Sequence, residues 1–155
     1  MAVLVGAIGL YGGCNNWWRE EMSLDRASKY WPQTLSIIRI LIGLIFLEHG
    51  TTKLLGYPPP PNPIPAMGTW LWAQGVIEFV GGLLLTIGIF TRPAAFVLAG
   101  VMAVAYFAEY APKSFFPLLN GGEAEILYCL VFLFFFVAGP GPWSIDKLPN
   151  KRATE

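Results

Sequence analysis

The chain has 155 residues, of which 55% are hydrophobic and 13% charged, where a soluble domain carries roughly 45–50% and about 25%. Mean hydropathy is +0.54 and 15% of the residues are aromatic, which excludes a disordered chain and leaves too few charges to solvate a globular surface. Ten Lys and Arg balance ten Asp and Glu, so the basic excess that displaces counterions from nucleic acid is missing. The composition points to an all-α membrane protein whose partner is the lipid bilayer.

In chain order, residues 1–33 read as a cytoplasmic or interfacial segment. Its apolar start, 1–11, is too short to span, has no basic n-region, and runs into Cys14 in YGGC, a poor match to a lipid-attachment box. Two readings stand side by side: the stretch lies along the interface, or the natural chain begins at Met22. A hydrocarbon core about 30 Å thick then calls for about 20 mostly apolar helical residues, and four stretches answer: 34–55, 70–90, 93–110 and 122–139. The third starts on Pro93, suited to a first helical turn, with Thr91 and Arg92 as the tight turn before it. The fourth ends at the Gly139-Pro140-Gly141-Pro142 breaker. Short connections make sequence neighbours spatial neighbours, so 34–141 is expected to be one antiparallel four-helix bundle. The first loop, 56–69, carries PPPPNPIP and no charge, which reads as a stiff extended strap whose plain role is spacing.

Lys and Arg near the span ends set the orientation. With four spans, one side carries Arg19, Arg26, Lys29, Arg92, Lys147, Lys151 and Arg152, and the other Lys53 and Lys113. Both termini, including the tail 142–155, are therefore expected in the cytoplasm of a multi-pass inner-membrane protein. Trp31 and Trp143 then mark the inner interface and Trp70 and Trp72 the outer one.

Charges inside apolar helices are costly, about 2.5–3.5 kcal/mol at a helix centre, and need partners or water. His49 on the outward-running first span and Glu78 on the inward-running second differ in expected depth by only about 3 Å. Glu109, Glu123 and Glu125 complete the set nearer the outer surface. Helical spacing puts His49, Lys53 and Arg39 on one face of the first span, with Glu48 about 180° from Arg39. Gly75, Glu78 and Gly82 form one stripe on the second, where small residues admit a close neighbour. Glu123 and Glu125 are about 160° apart, so both cannot point inward.

Two readings of this set compete. Lys53, His49 and Glu78 pin the helices through buried ion pairs, or they bind a ligand and handle protons. Snorkelling to water is a third use, suited to Glu109, Lys113 and Glu123, and Arg39 could equally pair with lipid phosphate. As a site, the cations would donate hydrogen bonds to a carbonyl or anion entering from outside, and a carboxyl in oil could exchange protons unless Lys53 or His49 compensates its charge. A quinone head fits that pattern. The chain itself is expected to hold no cofactor: one histidine excludes bis-His haem ligation, no spacing supports a metal site, Cys14 and Cys129 form no CxxC pair, and no phosphate-binding glycine loop occurs.

Several local patterns together resemble the DoxX family of small four-helix membrane proteins: RILIGLIFLEHGTTKLLGY at 39–57, GVIEFVGGLLLTIGIFTRP at 75–93, NGGEAEILY at 120–128 and GPGPWSID at 139–146. The third span supplies no sharp match, and 1–21 and the proline strap are departures. Some relatives are membrane subunits of a thiosulfate:quinone oxidoreductase, and others associate with oxidative or thiol stress systems. The resemblance therefore implies a redox-associated subunit that binds a quinone or similar small apolar molecule, with an oxidoreductase subunit as partner and Arg39, His49, Lys53, Glu78 and Glu123 as matching polar residues. The alternative is a non-catalytic scaffold whose charged cluster is structural. Whether a reaction is catalysed and whether the chain forms a homo-oligomer are left open by the sequence.

Overall fold

A computed structural model describes residues 28–60 and 63–148, and every regular element among them is helical. The apolar 1–11 stretch, Cys14 and the alternative start at Met22 lie outside the described residues. Helix α1 runs Trp31–Leu55 with a proline in its first turn and ends at left-handed Gly56 (φ 67°), a conformation that costs a residue without Cβ little. Helix α2, Trp70–Ile87, is capped by Thr69, whose side chain accepts the Trp72 N–H at 3.3 Å.

Helix α3, Thr91–Ala105, continues as a π-helical turn over Tyr106–Tyr110. It corrects one expectation. Thr91 and Arg92 are helical rather than a turn, and the helix begins ahead of Pro93. The cap comes from far along the chain: the Asp146 carboxylate accepts the N–H groups of Phe90 at 3.0 Å and Thr91 at 2.9 Å, satisfying donors that a helix start leaves free. Burial alone would raise the Asp146 pKa, but these backbone N–H groups, the Thr91 side chain and the Arg39 charge outweigh it and hold the carboxyl below its ordinary value. A single helical turn, Pro117–Asn120, precedes α4, Glu123–Ala138.

Three helical stretches, Trp31–Leu55, Trp70–Ile87 and Thr91–Tyr110, are long and apolar enough to cross a membrane. Helix α4 has 16 residues, about 24 Å at 1.5 Å per residue, and is shorter than the 122–139 span expected. Burial is inverted relative to a soluble protein. On α1, Ser36 and Arg39 are buried while Ile37, Leu41, Leu44 and Ile45 are exposed, the distribution that lipid as solvent favours.

Glycines set the α1–α2 approach. A Cβ on Gly43 would lie 2.5 Å from Thr86 Oγ1 and 2.7 Å from its N, one on Gly82 2.5 Å from the Leu47 N, and one on Gly50 2.5 Å from the Phe79 N. The two backbones therefore touch, as small residues permit in membranes. Helices α3 and α4 form a second pair, and Leu98 of α3 packs on Gly81 of α2. The seam between α1 and α4 is filled by rings: Phe46 meets Phe132 and Tyr128 edge-on, with centroids 4.5 and 4.9 Å apart, and Trp31 meets Phe134 at 6.0 Å.

Candidate functional site

The end of the bundle that holds the start of α1 and the end of α2 is a clasp around Arg39, which is fully buried. Its Nε donates to the Pro140 carbonyl at 2.8 Å, one terminal nitrogen donates to the carbonyls of Leu85 and Thr86, and the other donates to that of Trp143. Leu85 and Thr86 lie in the last turn of α2, where carbonyls lack intrahelical partners and the helix dipole favours a cation. Around this hub the Trp143 N–H donates to Ser36 Oγ at 3.2 Å, and the Asp146 N–H donates to the Gly88 carbonyl at 3.0 Å. Arg39, expected as a site or lipid-phosphate residue, thus spends its donors on the backbone of two elements.

The opposite end holds the one salt bridge among the described residues. Lys53 Nζ donates to Glu78 Oε1 at 2.8 Å, the lysine side chain 25% exposed and the glutamate 3%. Gln74, one turn before Glu78 on α2, donates its amide to the same oxygen at 2.9 Å. Both donors converge on one carboxylate oxygen. Glu78 Oε2 and Gln74 Oε1 are buried and have no hydrogen-bond partner among the described residues. Such acceptors are costly, about 1–3 kcal/mol each when unpaired, so this is one of the places in the fold that call for a donor, Gln33 Oε1 and Glu125 Oε2 being buried and unpartnered as well. Gly75 enables the pair, because a Cβ there would meet the Lys53 Cβ at 2.9 Å.

His49 does not join them. Its ring is exposed and contacts Phe46 at 5.8 Å and Tyr128 of α4 at 6.3 Å between centroids. Equal depth along two helices does not imply equal direction, and Gly50, next to His49, occupies the contact with α2. His49, Glu48 and Thr52 instead line a groove of about 360 Å³ with Pro58, Pro59 and Pro60 of the strap. Glu48 and Glu123 are exposed and Glu109 and Glu125 half-buried. Glu125 lies beside Tyr110, with Glu109 near the same phenol, so these acids form a separate group on α3 and α4. Of the eight polar candidates, only Lys53 and Glu78 form an ion pair. Gln74 and Tyr128 were missed, although Gln74 shares the Glu78 face by its i, i+4 spacing.

Apolar helices with exposed aliphatic faces, a buried arginine clasp and an ion pair at membrane depth define a helical membrane protein. Comparison with known proteins gives the family. The DoxX family model matches residues 34–111, which take in α1 from Thr34 onward, α2, α3 and both partners of the ion pair. An uncharacterized protein of Haemophilus influenzae is 43% identical over 80% of this chain and 96% of its own length. An uncharacterized membrane protein of Mycobacterium tuberculosis is 31% identical over 79% and 85%, and the inner membrane protein YqjF of Escherichia coli is 32% identical over 75% and 92%. The chain belongs to the DoxX family. No solved structure matches it.

Proposed function

We propose that the outer half of this DoxX-family bundle binds a small, largely apolar molecule with a hydrogen-bonding head, with a quinone as the fitting class, and that the chain acts as a redox-associated inner-membrane subunit. In this reading α4 is the fourth crossing and both termini are cytoplasmic. The observation that carries it is Glu78: a buried carboxylate at membrane depth with one oxygen unpartnered among the described residues, beside a lysine that stays partly exposed.

Lys53 has three N–H donors and spends one on Glu78. The others are available to a carbonyl in the head group. The groove at His49 beneath the strap is lined by neither Lys53 nor Glu78, so in this reading it holds the part of the molecule next to the head, and the exposed aliphatic faces offer a path for a tail. Glu78 could hold or release the proton that accompanies reduction or oxidation of the head. The electrons would pass to or from a separate oxidoreductase subunit.

A specific observation favours a second reading, in which the pair is structural. Lys53 and Glu78 join α1 to α2 where Gly75 lets the helices approach. Binding of decylubiquinone to the protein in nanodiscs separates the two. Under the binding reading, Glu78→Gln and His49→Ala each weaken binding at least about tenfold while melting temperatures stay near wild type. Wild-type affinity in both variants would end that reading and leave the pair its structural role.

A further inference from the structure

The connection between α3 and α4 is unusually greasy for a segment outside a helix. Phe115 is 88% exposed, Leu118 74% and Leu119 73%, and the single charge between Tyr110 and Glu123 is Lys113. We propose that this loop is a membrane-seated element that lies at the outer headgroup–acyl boundary with Phe115, Leu118 and Leu119 directed into the lipid.

Three observations commit the patch to lipid rather than to a protein. First, it is continuous with the lipid-facing helices. Leu127 of α4 shares a groove with Pro117 of the loop, and Leu127 and Phe107 of the π-helical turn are exposed like the patch. Second, the loop folds back rather than projecting outward. The Asn120 side chain is buried and donates to the Ser114 carbonyl at 2.9 Å and to the Tyr106 hydroxyl at 3.4 Å, while its oxygen accepts the Gly122 N–H at 2.7 Å. A Cβ on Gly122 would be 2.8 Å from both the Tyr106 ring and Tyr110. Helix α4 therefore starts level with the π-helical turn rather than beyond it. These internal bonds also satisfy polar groups of the turn, a condition for irregular backbone near hydrocarbon.

Third, with α4 as the fourth crossing proposed above, length calls for it. The 16 residues of α4 cover about 24 Å of a core about 30 Å thick. An apolar cover of about 6 Å above its first turn removes the mismatch without thinning the bilayer. Lys113 lies 4.7 Å from the centre of the Tyr110 ring and can reach phosphate from that level, in the manner of amphipathic side chains at an interface.

Nitroxides at single cysteines test the depth, with Cys14 and Cys129 replaced by alanine in the full chain. Leu118→Cys and Leu119→Cys are labelled in phosphatidylcholine–phosphatidylglycerol vesicles, with Lys113→Cys as the polar reference. Collision rates with dissolved oxygen, which concentrates in lipid, and with a water-soluble nickel chelate are then compared. The expected result is an oxygen-to-nickel ratio several-fold higher at 118 and 119 than at 113. Equal ratios at all three sites would place the loop in water, and low rates with both reagents would show a second copy or another protein covering it. Either result overturns the proposal. Because these side chains are exposed, cysteine there is not expected to unfold the bundle, and retention of the wild-type melting temperature checks this.

Discussion

At the scale of single residues the Lys53–Glu78 pair is asymmetric, and the asymmetry can be measured. Glu78 is almost wholly enclosed whereas a quarter of Lys53 remains exposed. Removing the lysine leaves a buried carboxylate held only by Gln74, whereas replacing the glutamate by glutamine removes a buried charge and keeps an acceptor for both donors. Truncating one partner of a buried pair costs about 3–5 kcal/mol because the other charge is left buried, whereas after Glu78→Gln the charge left over is that of the partly exposed Lys53, which can reach water. Lys53→Met is therefore expected to lose about 3 kcal/mol, the lower end because Lys53 is partly exposed, and Glu78→Gln under about 1 kcal/mol. The double variant should recover most of the loss in detergent unfolding. A Glu78→Gln loss as large as that of Lys53→Met would contradict the asymmetry. Arg39 has no such tolerance. Its planar fork serves four carbonyls, and lysine is a point charge that cannot match that geometry. Arg39→Lys should cost several kcal/mol, at about 1–3 kcal/mol for each carbonyl left without a donor.

At the scale of helices two devices decide the packing. The first is the close approach of α1 and α2. Gly43→Ala would force a Cβ to within 2.5 Å of Thr86 Oγ1 and 2.7 Å of its backbone N, so backbone must shift, at a cost of about 1–3 kcal/mol. Gly100 on α3 has nothing within 4 Å of a Cβ, and Gly100→Ala is expected to be neutral or to stabilise by about 0.5–1 kcal/mol through helix entropy. Unfolding of the two variants in one detergent checks the contrast. The second device is the cap on α3. Because the Asp146 pKa lies below its ordinary value in the fold, the unfolded chain binds a proton more readily. The contribution is fully present above the unfolded pKa of about 3.9 and is lost as pH falls through the lower folded value. Asp146→Asn should destabilise by about 0.5–2 kcal/mol near neutrality. The gap between variant and wild type should narrow as pH falls below about 4, and a gap independent of pH would exclude the charged cap.

At the scale of the whole molecule, the arrangement is two close helix pairs, α1 with α2 and α3 with α4, joined by Gly81–Leu98 packing and by rings between α1 and α4. The three long helices were legible in the sequence because apolar length has few other uses, Glu78 because depth follows from counting residues, and Lys53 because helical spacing puts it on the face of His49. What stayed hidden depends on rotation and on distant chain. His49 turns toward Tyr128 because Gly50 takes the α2 contact, Arg39 finds the Pro140 carbonyl 101 residues away, and α3 is capped by an acid 55 residues ahead of Thr91. The same clasp bears on topology. It ties the start of α1, the end of α2, the start of α3 and the loop after α4 together at one end, so that end is a single surface that crosses no lipid. Arg92 and Lys147 lie on it, and Lys113 lies at the opposite end. By the positive-inside bias this distribution predicts a cytoplasmic clasp, in line with the topology proposed above. In a cysteine-free background, Lys147→Cys should react with an impermeant maleimide only after the inner membrane is opened, whereas Lys113→Cys should react in intact spheroplasts. The reverse pattern would invert the bundle and turn the Lys53–Glu78 end toward the cytoplasm, and reaction of both sites from outside would show that α4 does not cross.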